Sequence, residues 1–164
     1  MNNDQFWDLI AQSRHDTADD IEEQCDALTE RLSGLTREEL IAFDALYHDR
    51  LDQAYHWDLW AAAYILNDGC SDDGFEYFRD WLIAQGREAY ENALRQPESL
   101  ADIAEPYACE AEDFRYVVAD VYAEKFGSDL PFSERAPAII QGEEWDEDVV
   151  DSKYPKLSAW MEAA

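Results

Sequence analysis

Apolar side chains recur at steps of three and four along most of the chain, which is the spacing of one buried helix face. Leu40, Phe43 and Tyr47 show it most clearly, and they follow a Thr36-x-x-Glu39 capping box that marks a helix start. We predict a helix from this box to about Ala54. Six further helices are predicted at about 4–10, 17–32, 57–66, 71–83, 87–94 and 112–126.

The segment 57–66 is apolar on nearly every side, which is typical of a helix in the middle of a bundle. The pattern fails after 128, where two prolines and an acidic run at 143–151 follow. Apart from a possible short strand near Ile139 and Ile140, no stretch alternates as a sheet strand does. We predict an all-α fold: a compact multi-helix bundle at 1–128, and an irregular acidic C-terminal extension at 129–164 that packs on it or trails from it. A short turn of helix is expected at 153–160.

The net charge of the protein limits the classes of partner that it can bind. The 164 residues include 39 Asp and Glu but only 12 Lys and Arg, a formal net charge of −27. Such a surface repels phosphate backbones and anionic lipid, so we expect neither nucleic-acid nor membrane binding. A basic protein is the natural electrostatic partner, although solubility or a salty cytoplasm explains the charge more simply.

Other features argue against several classes of protein. The three cysteines lie far apart and form no Cys-x-x-Cys, so neither a disulfide framework nor a zinc site is predicted. Hydrolase, phosphate-loop, dinucleotide and metalloprotease motifs are missing from the sequence, and we expect no metal and no cofactor. The first ten residues carry acids and no basic segment, so no secretory signal is expected and the cytoplasm is the default location.

Three unusual sequence words support a family resemblance. They are Trp-Asp-Leu-Trp at 57–60, Ser-Asp-Asp at 71–73 and Phe-Arg-Asp-Trp-Leu-Ile at 78–83. With these words the chain resembles a bacterial family catalogued as domain of unknown function 4240, over residues 1 to about 131. The resemblance implies a stand-alone bacterial cytoplasmic protein, with similar segments sometimes attached to other modules. It implies no activity, substrate or catalytic residue.

Arg79 is the first candidate for chemistry, because at 100° per residue it falls among Phe75, Phe78 and Leu82. A buried guanidinium needs a partner, and we expect it to be Asp58, in the first turn of the preceding apolar helix 57–66, with Asp72 and Asp73 as alternatives. The pair would either fix the register of two helices or form the base of a pocket for a carboxylate or phosphate. Arg50 and Arg87 are expected to approach the same region. The candidate pocket or buried polar cluster comprises Tyr55, His56, Trp57, Asp58, Asp72, Asp73, Arg79 and Arg87.

The acidic run is the second candidate site, with Trp145 as a possible aromatic anchor for a basic partner. The candidate partner-binding residues are Glu143, Glu144, Trp145, Asp146, Glu147 and Asp148. Our leading hypothesis is a protein-interaction or binding module that docks on a basic partner, in the manner of an inhibitor or immunity protein. The alternative is an enzyme or small-ligand sensor with an anion-holding pocket around Arg79 and Asp58. The sequence favours no catalytic role and leaves the oligomeric state open.

Overall fold

The computed structural model describes residues 1–17 and 19–164, and in this part of the chain all regular structure is helical. The predicted all-α fold is therefore confirmed. The only β-type contact in the described residues is one isolated bridge between His56 and Gln141. The α-helices are α1 (Asn3–Arg14), α2 (Ile21–Ser33), α3 (Arg37–Gln53), α4 (Trp57–Leu66), α5 (Asp72–Ala84), α6 (Arg87–Arg95), α7 (Val117–Phe126), α8 (Val150–Lys153) and α9 (Pro155–Ala163), and two 3₁₀-helices span Pro97–Asp102 and Glu112–Tyr116.

Helix starts follow the side chains that can satisfy free backbone amides. Thr36 and Glu39 form the predicted capping box, with the Thr36 amide donating to the Glu39 carboxylate over 2.8 Å. α2 begins later than predicted, because the Asp20 carboxylate accepts from the amides of Glu22 and Glu23. The predicted helix at 112–126 instead opens as a 3₁₀-helix before α7.

The core lies around α4 and α5. α5 buries nine of its 13 residues and contacts α1, α3, α4, α6 and the 3₁₀-helix Glu112–Tyr116. α4 is covered by α5, α8, α9 and the 3₁₀-helix Pro97–Asp102. The apolar circumference of α4 therefore has a partner on several sides, as expected for a central helix. None of the helices in the described residues has the length and apolar content that a membrane crossing needs.

Residues 129–141 run without regular secondary structure across the outside of α3, and we call this segment the strap. Arg135 holds its middle through ion pairs to Asp49 and to Asp52, the second at 3.0 Å. Gln141 holds its end by accepting a hydrogen bond from the Trp57 amide and donating one to the Tyr55 carbonyl.

Beyond the strap the chain returns to the helical body. The expected short turn of helix is the nine-residue helix α9, which starts at Pro155 and buries Leu157. Proline suits this first helical position because its fixed φ matches the helix and no amide is lost. α9 packs on α4, so the end of the chain covers part of the central helix.

Candidate functional site

A pocket of about 340 Å³ opens between the end of α3, the start of α5 and the strap. We call it the arginine pocket, because Arg79 forms part of its wall. Aromatic rings and charged groups share its surface. It is lined by His48, Leu51, Asp52, Tyr55, Trp60, Asp72, Phe75, Glu76, Arg79, Arg115 and Ala138.

Arg79 is buried, as its position on α5 predicts, with 7% of its surface exposed. Its Nη1 donates to the Leu51 carbonyl over 2.9 Å, and its Nε donates to the Phe75 carbonyl over 3.4 Å. The guanidinium lies over the rings of Tyr55 and Phe75, at 4.7 and 5.0 Å from their centroids. Nη2 has no hydrogen-bond acceptor among the described residues, and this leaves one amino group available to a ligand.

The expected ion pair between Arg79 and Asp58 does not form, and that prediction was wrong. The side chain of Asp58 is 42% exposed and pairs with Lys153 of α8 over 3.1 Å. No carboxylate lies within ion-pair distance of Arg79 in residues 1–17 and 19–164. Burial therefore lowers the pKa of Arg79, although a guanidinium remains charged at neutral pH.

The alternative partners also remain apart from Arg79. Asp72 lies in the first turn of α5 and lines the arginine pocket, whereas Asp73 is exposed and does not. Both acids complement the positive end of the α5 dipole. Of the three possible partners, only Asp72 is thus brought to the same pocket.

Arg87 and Arg50 do not join the cluster, contrary to prediction. Arg87 follows the turn at Gly86, whose φ is 96°, and its guanidinium pairs on the surface with Asp4 and Glu91. Arg50 points toward α1, where its Nη2 donates to the Asn3 side chain. Both arginines lie on the α1 side of the bundle, away from the pocket.

Three neighbouring residues, Tyr55, His56 and Trp57, have different structural roles. Tyr55 stacks on Phe75 and forms a pocket wall. His56 caps α4, since its Nδ1 accepts the Asp58 amide proton over 3.1 Å. Trp57 lies outside the pocket and stacks on Trp60 with ring centroids 5.1 Å apart. Of the three, only Tyr55 belongs to the candidate site.

A buried polar network that was not predicted from the sequence lies beside the pocket. Asp80 is fully buried, and its carboxylate accepts hydrogen bonds from the Tyr47 hydroxyl over 2.7 Å and from Arg115 Nε over 2.8 Å. Arg115 also pairs with Glu76 over 2.9 Å. Burial raises the pKa of Asp80 to about 6, against the opposing effects of Arg115 and Tyr47. One feature of the sequence could have revealed this network: Arg79 and Asp80 are adjacent inside an apolar run. In such a run, at least one of the two charged side chains must face the core.

A second and larger pocket adjoins the first. Its volume is about 610 Å³, and it lies between α7 and the strap, so we call it the strap pocket. His48 and Arg115 line both pockets. Its other lining residues are Asp44, Tyr116, Ala119, Asp120, Ala123, Asp129, Leu130, Pro131, Phe132, Ser133 and Arg135.

The acidic run lies on the surface, but its aromatic residue does not. Trp145 is half-buried, with its ring edge-on to Trp57 and Trp60 and its Nε1 donating to the Trp57 carbonyl over 2.9 Å. Trp145 therefore packs against its own chain and is not an exposed anchor for a partner, and that part of the prediction was wrong. The carboxylate side chains around it are exposed: Glu143, Glu144, Asp146, Glu147 and Asp148.

Across the described residues, no group of three or more His, Cys, Asp or Glu side chains is placed to hold a metal ion. The comparison with curated proteins gives no match, and neither does the comparison with solved structures. A family model described as a protein of unknown function (DUF4240) matches residues 1–124, which is 124 of the 164 residues. All lining residues of the arginine pocket except Ala138 fall within this match. The resemblance noted from the sequence words is thereby confirmed, and the chain belongs to the DUF4240 family.

Proposed function

We propose that this protein binds a small anionic molecule, whose carboxylate or phosphate is held by Arg79 in the arginine pocket. The observation that carries this proposal is a buried guanidinium with no carboxylate partner and one amino group without an acceptor. A buried charge is costly unless it is paired. A carboxylate or phosphate oxygen at Nη2 would supply the missing charge-assisted hydrogen bond.

The size and walls of the pocket support the same function. Its volume of about 340 Å³ lies at the lower end of the range for small-molecule sites, about 300 to 1,000 Å³. Tyr55, Trp60 and Phe75 give it flat apolar surfaces, and the Trp60 and Phe75 rings are stacked with centroids 5.1 Å apart. A small molecule could thus bury an apolar part against rings and an anionic part against Arg79.

The surrounding acids restrict the charge of the ligand. Asp52, Asp72 and Glu76 all line the pocket. Asp52 and Glu76 are already paired with Arg135 and Arg115, but Asp72 has no cationic partner in the described residues. A ligand with several negative charges would be repelled, so we propose a singly charged anion or a zwitterion.

The test is a comparison of matched probes with the full chain. Phenylacetate, its neutral analogue phenylacetamide and inorganic phosphate are titrated while the Arg79 Nε–H signal is followed by nuclear magnetic resonance. We expect phenylacetate to shift this signal and phenylacetamide to leave it unchanged. If neither phenylacetate nor phosphate shifts it, the proposed function is wrong.

Two arginine variants provide the control. Arg79→Met should abolish the preference for phenylacetate over phenylacetamide in calorimetry, because it removes the cation and keeps much of the side-chain volume. Arg87→Met removes a surface arginine paired with Asp4 and Glu91, and it should leave the preference intact. Equal losses in both variants would mean that net charge, and not the pocket, determines binding.

Docking on a basic partner remains a second candidate function, supported by the net charge of −27 and the five exposed carboxylates at 143–148. Such a surface would act mainly by steering association, since Trp145 is engaged within the chain. Replacement of the five carboxylates by Asn and Gln should slow association with a basic protein recovered from native lysate at low salt. An unchanged association rate would contradict this candidate.

A further inference from the structure

We infer that the ligand held by Arg79 carries an apolar tail that lies in the strap pocket, so that the two pockets form one site for an amphiphilic monoanion. This inference rests on the proposed function and extends it, because it names the class of ligand. Three features carry it: the shared wall, the apolar surface of the second pocket, and the distribution of free charge.

The two pockets meet at a common wall. His48 of α3 and Arg115 line both of them. The strap also lines both, with Ala138 at the first pocket and Leu130 and Pro131 at the second. The strap pocket is therefore the immediate neighbour of the arginine pocket, and we place the rest of a longer ligand there.

The strap pocket has the surface that a hydrocarbon needs. Ala119 and Ala123 lie four residues apart on α7 and therefore share one face of the helix. Their small side chains leave space between α7 and the strap. Leu130, Pro131 and Phe132 form the facing side, and Phe132 is 90% exposed, so its ring lacks the apolar cover that a bound tail would provide.

Charge determines the orientation of the ligand. Both arginines of the strap pocket are engaged: Arg115 with Asp80 and Glu76, and Arg135 with Asp49 and Asp52. The same pocket holds three further acids that would repel an anionic group: Asp44, Asp120 and Asp129. The anionic head is therefore excluded from the strap pocket and belongs at Arg79, and the tail extends the other way.

The experiment compares butanoate, octanoate and octanol by isothermal titration calorimetry on the full chain. Each buried methylene tightens binding by about fourfold, so octanoate should bind at least tenfold more tightly than butanoate. Equal binding of the two carboxylates would overturn this inference and leave the proposed function standing. If phenylacetate binds but neither of these carboxylates does, the inference alone fails, and if neither these carboxylates nor phenylacetate and phosphate bind, both proposals fail.

Pocket-filling variants locate the tail. Ala123→Leu should lower octanoate affinity to that of butanoate, with butanoate itself unchanged. Ala119→Leu fills the same pocket one turn away and serves if the first variant does not fold. Ala89→Leu is the matched control, a half-buried alanine on α6 at a different surface depression, and it should change neither affinity. If Ala123→Leu and Ala119→Leu leave octanoate binding unchanged, the tail lies elsewhere and the inference is wrong.

The variant Arg79→Met tests the binding of the ligand's anionic head separately from that of its apolar tail. It should weaken both carboxylates much more than octanol, whose hydroxyl carries no charge to pair with the cation. An equal loss for octanol and octanoate would mean that the charge of Arg79 does not hold the head, which contradicts the assigned orientation.

Discussion

Two consecutive residues of α5 handle burial of charge in opposite ways. Successive side chains on a helix point about 100° apart, so Arg79 and Asp80 enter different surroundings. Asp80 meets Tyr47 and Arg115, and its charge is balanced inside the protein. Arg79 meets backbone carbonyls and aromatic rings, and its charge is not balanced. Asp80 thus has a charged partner inside the protein, and Arg79 has none among the described residues.

Removal of the cation beside Asp80 should be more costly than removal of Arg79. Arg115→Met strands a buried carboxylate, and we expect it to lower the free energy of unfolding by about 3 to 5 kcal/mol. Arg79→Met strands no acid in the described residues, so its cost should be about 1 to 3 kcal/mol from lost hydrogen bonds and ring contacts. Urea unfolding at neutral pH measures both, and the reverse order would contradict the partners described for Asp80.

The Asp80 carboxylate also predicts that the stability of the protein depends on pH. The pKa of Asp80 rises from an ordinary 3.8 to about 6 on folding. Between these values the folded chain holds a proton that the unfolded chain has released, so this group makes stability fall as pH rises. Because the pKa is raised by about 2, this group lowers the free energy of unfolding by about 3 kcal/mol in total across this pH range.

Asp80→Asn is the matched variant, because it keeps the shape and removes the titration. The free energy of unfolding of the wild-type chain, relative to this variant, should fall between pH 4 and 6 and stay level above pH 6. Urea unfolding across this range checks it. A relative stability that rises with pH would show that the carboxylate is favoured in its charged form.

At the scale of elements, local pattern predicts the helices, and long-range contact decides the rest. The capping box at Thr36 and Glu39 and the stripe on α3 needed no tertiary information. α9 was foreseen only as a short turn, because a helix this short is marginal alone and gains its stability from packing on α4. The arginine pocket was predicted through Arg79, Tyr55 and Asp72, but its far walls come from distant segments.

The end of the strap depends on one glycine. Gly142 has φ 87°, and a Cβ there would lie 2.5 Å from Cε1 of His56. Gly142→Ala should therefore displace either the strap or the histidine that caps α4. Gly69 has φ 113° with nothing near its missing Cβ, so Gly69→Ala measures the cost of backbone conformation alone.

We expect Gly142→Ala to cost at least about 1 kcal/mol more than Gly69→Ala, since overpacking adds to the conformational strain. Chemical unfolding gives the two values. Tryptophan fluorescence should change in Gly142→Ala, because the ring of Trp145 lies just beyond the strap. Equal costs would mean that His56 moves aside without consequence.

The whole molecule carries far more negative charge than its ion pairs balance. Self-repulsion at −27 opposes the compact state, and dissolved salt screens it. The urea midpoint should therefore rise between low and moderate sodium chloride, and equally with potassium chloride if the effect is general screening. A midpoint that is flat or falls with salt would contradict net repulsion as a destabilising force.

Composition thus predicted the electrostatics of the molecule, whereas the pairing of individual charges lay beyond it. Asp58 was expected to neutralise Arg79 and is paired instead with Lys153, almost a hundred positions along the chain. With 39 acids available, spacing along a helix cannot choose the partner of a given arginine.

The contact between Trp145 and Trp57 also sets an order of events during synthesis. The two residues are separated by 88 positions, and the stacked rings of Trp57 and Trp60 receive this cover only when the later segment exists. Ribosomes add about 5 to 20 residues per second, so the interval is roughly 4 to 18 s. During that time the most apolar helix of the nascent chain lacks part of its shield. Its exposed face is then a target for chaperones and the point at which misassembly competes with folding.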